Sequence, residues 1–216
     1  MTTPMMRQYQ EAKQRHPGMV VLFRMGDFYE LFDDDAREIA PVLNITLTTR
    51  DGAMPMAGFP HHALEGHLRK LLLAGKRVAV CDQVEDAAQA KGLVKREVTR
   101  VVTPGTLTED DLLDPRRPSH LVAIAKGAKD LFGVAWVDLG RGRILAADVH
   151  REGARELVGR LEPAELLHPD SRDERVEALA LWGDQSWLTP RPDWHFEESE
   201  SAKSLREQFG VSTLGG

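Results

Sequence analysis

Cysteine is almost absent: the 216 residues hold a single thiol, Cys81. One thiol forms no internal disulfide and builds no cysteine-based zinc cluster, which excludes disulfide scaffolds and zinc fingers and fits a reducing compartment. Long hydrophobic runs are missing too. No window approaches the ~18 apolar residues of a membrane span, and the opening MTTPMMRQYQEAKQRHPG lacks the apolar stretch of a secretory signal. The expectation is a cytoplasmic chain without membrane attachment. No G-x-x-x-x-G-K-[ST] occurs; Gly75-Lys76-Arg77 and Gly127-Ala128-Lys129 lack the upstream glycine and the hydroxyl that a phosphate cradle needs. Internal repeats and low-complexity tracts are absent as well. What is present, 42% hydrophobic and 29% charged residues, suffices for one large or two small cores, and two is the expectation.

The net charge of −6 at first disfavours a nucleic-acid partner, but it is unevenly spread. Residues 1–104 hold 14 Lys/Arg against 13 Asp/Glu, whereas residues 105–216 hold 14 against 21. The acidity belongs to the second half. Arg69, Lys70, Lys76, Arg77, Lys91, Lys95, Arg96 and Arg100 form a local basic excess that reads first as a solvated face and is also enough for a phosphate-facing patch.

Prolines and glycines in TPGTLTEDDLLDPRRPS, Thr103 to Ser119, place a domain boundary there. Before it, the spacing predicts a helix over Met6–His16 and a buried strand over Met19–Met25. A helix follows from Asp27, with Phe32, Ala36, Ile39 or Ala40, and Leu43 on one face and Pro41 kinking or ending it near Ala40. A strand at Asn44–Arg50, a turn at Asp51-Gly52, a helix through Leu64, Leu68, Leu71 and Leu72 capped by Gly75, and strands at Arg77–Val84 and Val94–Val102 complete an α/β domain. After the boundary, three antiparallel strands (Leu121–Ala125, Leu131–Leu139, Arg143–Val149) precede a helix at Arg151–Leu161, a strand at Pro163–Leu167 and a last helix at Ser199–Phe209. That is the order of an RNase H-like sheet.

His61, His62 and His67 with Glu65 superficially suggest a metal site but miss the H-E-x-x-H spacing. Asp33, Asp34 and Asp35 read as a solvated helix start, and Cys81 as a buried, inert thiol. In Met25-Gly26-Asp27-Phe28-Tyr29-Glu30-Leu31-Phe32, one reading makes Asp27 an N-cap, Glu30 its capping-box partner, and Phe28 and Phe32 an i, i+4 pair on the core. It leaves Phe28 and Tyr29 as aromatics at an exposed helix start beside a glycine, where such side chains want a partner.

Gly26-Asp27-Phe28-Tyr29-Glu30-Leu31-Phe32 resembles the G-x-F-Y-E-x-F signature of the bacterial MutS family of DNA mismatch repair proteins. Thr3-Pro4-Met5-Met6-Arg7-Gln8-Tyr9, Pro55-Met56-Ala57-Gly58-Phe59-Pro60-His61-His62-Ala63, Val78-Ala79-Val80-Cys81-Asp82-Gln83-Val84, Val102-Thr103-Pro104-Gly105-Thr106 and Pro163-Ala164-Glu165-Leu166-Leu167 extend the similarity over nearly the whole chain. The loop at Thr49–Ala53 looks shorter than in some relatives.

The resemblance implies a mixed-sheet α/β mismatch-binding domain at 1–108, a linker at 109–118, and an RNase H-like connector domain at 119–216 whose C-terminal completeness stays open. Core, lever, clamp and ATPase domains would lie outside these residues, taking with them ATP and Mg; no cofactor, metal or catalytic residue is expected within. In the family, the phenylalanine of F-x-E enters the minor groove against a mispaired or unpaired base and the glutamate accepts a hydrogen bond from it. By match these are Phe28 and Glu30. Lys95, Arg96 and Arg100 are candidate DNA-backbone contacts. Implied partners are mismatched or looped double-stranded DNA, the remaining MutS domains and MutL, with a homodimer for the complete protein, a monomer conceivable for the fragment, and a cytoplasmic, nucleoid-associated location. Two rivals remain: a protein-interaction module whose connector contacts MutL or other MutS domains with little DNA binding, and a nuclease using Asp138 and Asp148, for which no third and fourth carboxylate is placed.

Overall fold

The computed structural model describes residues 3–50, 52–85, 92–106, 119–183 and 187–214. The expected linker at 109–118, Asp51 of the expected turn and Lys91 of the basic run lie outside these residues. The chain divides into two compact units, Met1–Leu113 and Asp114–Gly216.

The first unit is a six-stranded sheet in the order β3-β4-β2-β1-β5-β6, formed by β1 (Val20–Met25), β2 (Phe28–Phe32), β3 (Thr48–Arg50), β4 (Met54–Pro60), β5 (Val78–Gln83) and β6 (Arg96–Val102). Only β1 and β5 pair in parallel. Helix α1 (Pro4–Arg15) is capped by the Thr3 side chain, which accepts from Met6 N–H, and has Pro4 in its first turn, where no donor is missed. Met5, Met6, Tyr9 and Ala12 of α1 pack on Val21, Phe23, Phe32, Ala79 and Cys81. On the opposite face, α2 (Asp33–Leu43) and α3 (Leu64–Leu73) cover Val20, Leu22, Tyr29, Leu31, Phe59, Val78 and Val80. Alternation of side chains along each strand divides one sheet between two cores.

Several expectations are corrected. The stretch after Gly26 is strand β2, not a helix, and α2 begins only at Asp33, whose left-handed φ of 51° turns the chain out of the sheet. The capping box of Asp27 and Glu30 therefore does not exist, and Tyr29, expected exposed, is buried. Of the two outcomes expected at Pro41, a kink or an end near Ala40, the end does not occur: Pro41 sits inside α2, whose last turn closes through Asn44 in the left-handed region. Residues 44–47 are not strand, so Ile45 and Leu47 precede β3. Asp35 is not a solvated helix start but buried, accepting from Lys13 Nζ at 2.9 Å, Tyr9 Oη at 3.2 Å and Val21 N–H at 3.0 Å. Strand β4 carried no expectation. Gly75 ends α3 as expected, with Lys76 N–H on Leu71 C=O and Gly75 N–H on Leu72 C=O.

The second unit is a five-stranded sheet in the order β11-β10-β7-β8-β9, from β7 (His120–Lys126), β8 (Leu131–Asp138), β9 (Arg143–His150), β10 (Glu165–Pro169) and β11 (Leu188–Arg191). The pairs β7/β8 and β8/β9 are antiparallel; β10 and β11 add in parallel beside β7. Three antiparallel strands and a parallel extension are the RNase H-like arrangement expected. Helices α4 (Arg151–Leu161) and α5 (Arg172–Trp182) place Ala154, Val158 and Leu181 on Val122, Ile124, Phe132, Val134 and Leu166. Helix α6 (Glu198–Phe209) follows and ends at Gly210, φ 64°. Sequence spacing missed α5 and β11.

Candidate nucleic-acid interface

Met25 and Phe28 are register partners, so Gly26 and Asp27 are the whole connection between β1 and β2. Gly26 has φ 57° at the first of these positions, as a two-residue hairpin turn with glycine leading requires. The turn is fastened on two sides. Asp27 C=O accepts from His61 N–H at 2.8 Å, and Arg24 Nε donates to Gly26 C=O. The Gln83 amide, turned with its oxygen toward them, accepts from Gly26 N–H at 3.2 Å and Arg96 Nη2 at 3.0 Å.

Phe28 leaves this clamped turn between Met25 and Pro60 and is 47% exposed. Tyr9, Phe23, Tyr29, Phe32 and Phe59, the other phenylalanine and tyrosine rings of this unit, are at most 4% exposed. Phe28 is thus the ring left for a partner.

Glu30 stands two residues along the same strand. In a strand that spacing puts both side chains on one face about 7 Å apart; on a helix they would diverge. The strand that replaced the expected helix is what brings Phe28 and Glu30 together. Phe23 and Gly58 flank Glu30 in register, and a Cβ at Gly58 would lie 3.6 Å from Glu30 Cγ, so the glycine leaves a notch beside the carboxylate. Arg50 Nη1 lies 3.3 Å from Glu30 Oε2, and its guanidinium stands 5.8 Å from the Phe32 ring centroid. Burial pushes the Glu30 carboxyl above its ordinary value of 4.5, against the opposing pull of Arg50 and then Arg96. Tyr29 points the other way, its hydroxyl donating to Asp82 Oδ1 at 2.5 Å; burial, then Asp82, pushes it up to about 12.

The three cations considered for the DNA backbone do not form one patch. Lys95 is exposed and pairs with Glu97 at 2.6 Å; Arg100 reaches Glu65 of α3 at 3.0 Å. Arg96 donates to Arg24 C=O at 2.6 Å and to Val94 C=O at 2.9 Å, with its guanidinium 5.3 Å from the Phe23 ring centroid. A bulge causes the division: the register passes from Val80↔Arg100 to Cys81↔Val98, leaving Thr99 as the extra residue. One extra residue inverts the faces, so Arg96 lies on the α1 side and Arg100 on the α3 side.

Arg50 and Gly58 escaped sequence reading as site residues; twenty or more positions from Glu30, they become its neighbours only through β3 and β4. His61, weighed as a metal ligand, instead holds the turn, and His67 packs on Phe59 with ring centroids 4.2 Å apart. Among the described residues no group of three His, Cys, Asp or Glu side chains is arranged for a metal. Cys81 is buried, and burial, then Asp82, pushes its thiol up to about 12. Asp138 pairs with Arg143 and Asp148 with Gly133, five residues apart along β8, about 17 Å, too far to share a metal pair. No described helix is long and apolar enough to cross a membrane.

Residues 3–111 match the family model of MutS domain I, and residues 119–216 that of MutS domain II. The DNA mismatch repair protein MutS of Rhodopirellula baltica is 44% identical over 238 residues, covering 99% of this chain and 26% of the relative. The proteins of the same name from Chlorobium limicola, 46% identical over 219 residues, and Chlorobaculum tepidum, 44% over 223, are each matched over 99% of this chain and 25% of their own length. The chain spans about a quarter of the length of these relatives. It belongs to the MutS family, whose domains I and II it carries in that order.

Proposed function

We propose that the first unit recognises mispaired or unpaired bases in double-stranded DNA, with Phe28 as the minor-groove wedge and Glu30 as the reader of the displaced base. The observation that carries this reading is one exposed ring at a clamped hairpin turn, on the same strand face as a half-buried carboxylate. An apolar wedge costs a few kcal/mol of unstacking and bends the duplex, and a mispaired step resists both least. A carboxylate adds little affinity beside phosphates; its value is in accepting from a base N–H that Watson-Crick pairing would occupy. Lys95, exposed, and Arg100, on the α3 side, are the candidates for phosphate contact, with Arg96 held back to brace the turn. The second unit, carrying the acidic half of the chain, is assigned to protein contacts with the other MutS domains and with MutL. ATP and Mg belong to domains outside these residues, and no catalytic step is assigned here. A homodimer in the cytoplasm, on the nucleoid, is the setting proposed for the complete protein.

The test is Phe28→Ala in the complete gene product, by anisotropy on matched and mismatched duplexes at one salt concentration. Base–aromatic stacking of about 1–3 kcal/mol predicts a fall in mismatch preference of roughly 5- to 150-fold. Because the ring is exposed, the melting temperature should barely move, unlike that of Phe32→Ala, a core truncation of about 3–5 kcal/mol. A variant that discriminates as well as the parent would sink the wedge.

A further inference from the structure

Glu30 and Arg50 do not sit on adjacent strands: β4 runs between β2 and β3. Strands about 4.8 Å apart put the two backbones roughly 10 Å apart across β4, and Arg50 pairs with Met54 while Glu30 pairs with Gly58, so the ion pair closes on a diagonal, with the Arg50 guanidinium passing 5.8 Å from the Phe32 ring centroid to reach the carboxylate. Gly58 leaves the space beside the Glu30 end of that diagonal unfilled, and Met56, opposite Phe32 and Thr48, lies on the same face between the two levels. Among the described residues, Arg50 is the cation within ion-pairing distance of Glu30. A half-buried carboxylate with one such partner is oriented by it, and that partner favours its charged form against the opposing effect of burial.

We infer that Arg50 is a positioning and specificity-determining residue for mismatch reading: it holds the Glu30 carboxylate in one orientation and in its ionised, hydrogen-bond-accepting form beside Phe28. The inference rests on the reading that Glu30 faces the displaced base. The charged groups acting on Glu30 are Arg50 from β3 and Arg96 from β6; β1 and β4 present Phe23 and Gly58. Arg96 is tied to the backbone of Arg24 and Val94, which leaves Arg50 as the adjustable partner. Without Arg50, burial acts less opposed and the carboxyl shifts further toward its neutral form. A shift in that direction weakens Glu30 as an acceptor.

The test has two arms. Carboxyl carbon NMR of Glu30 in the 216-residue chain should show a titration midpoint that rises in Arg50→Ala and Arg50→Gln and returns toward the parent in Arg50→Lys. In the complete gene product, Arg50→Ala should lower mismatch preference to the level of Glu30→Gln, with no further loss in the double variant. Arg50→Lys should recover part of that preference. If Arg50 instead only contacts a phosphate, matched and mismatched duplexes lose affinity equally, the salt dependence becomes shallower, and the Glu30 midpoint stays put; that result overturns the inference. If Glu30→Gln itself discriminates like the parent, the recognition reading falls and takes the inference with it. A poor Glu30→Gln beside an unmoved midpoint in Arg50→Ala rejects the inference alone.

Discussion

Glu30 links the site to stability through its proton. A carboxyl whose folded-state value lies above its unfolded one binds its proton more tightly in the folded protein. Stability therefore falls as pH rises from the unfolded value through the raised one, and the penalty is complete above it. Replacing Glu30 by Gln removes that penalty. Urea midpoints of Glu30→Gln and the parent should lie closest below pH 4.5 and diverge in favour of the variant as pH rises, levelling off once the parent carboxyl is ionised. A constant difference across that range would mean that burial does not govern this carboxyl. Chemical pattern alone did not single out Phe28 and Glu30 here; a capping box explained them as well. The similarity of Gly26–Phe32 to a family signature pointed to them. Arg50 was illegible by either route, because nothing local ties a residue at the end of β3 to one across an intervening strand.

Among the elements, β2 was misread because it is buried on both faces. Tyr29 and Leu31 enter one core and Phe32 the other, so period-2 alternation vanishes, and Phe28 with Phe32 mimics an i, i+4 pair. Strand β4 hid behind two prolines, yet each sits where a neighbour is missing. Pro55 lies past the end of β2 pairing and Pro60 past the end of β3 pairing. Elements with buried positions on one face and a clear stop, α1, α3, α4, β7 and β8, were legible, and β9, which has no buried residue, was legible from the Gly140-Arg141-Gly142 turn before it. Two glycines test the backbone logic of the hairpin. Gly26 is at φ 57° with open space around it, so Gly26→Ala should cost about 1–2 kcal/mol from conformation alone and loosen the turn before Phe28. Gly66 lies inside α3 with equally open space, and Gly66→Ala should stabilise by about 0.5–1 kcal/mol. Thermal melts of the two variants should therefore move in opposite directions; a shared direction would show that local crowding, not φ, governs them.

At the scale of the whole molecule, each unit carries its own core, and the sequence divides its chromophores along the same line. The two tyrosines, Tyr9 and Tyr29, are buried in the first unit. All four tryptophans belong to the second, where Trp136, Trp182 and Trp187 pack against its core and Trp194 stacks on His195 with ring centroids 3.7 Å apart. Cores that share no side chains should respond separately to truncation. Leu68 and Leu166 are fully buried, one in each unit, and truncating either should cost about 2–5 kcal/mol. In urea unfolding, Leu68→Ala should lower the tyrosine transition, followed by second-derivative absorbance, and leave the tryptophan emission transition where it was. Leu166→Ala should do the reverse. If either substitution moved both transitions together, the units would be unfolding as one cooperative body, and the assignment of base reading to one unit and protein contacts to the other would lose its physical basis, since a change in either half would then be felt in both.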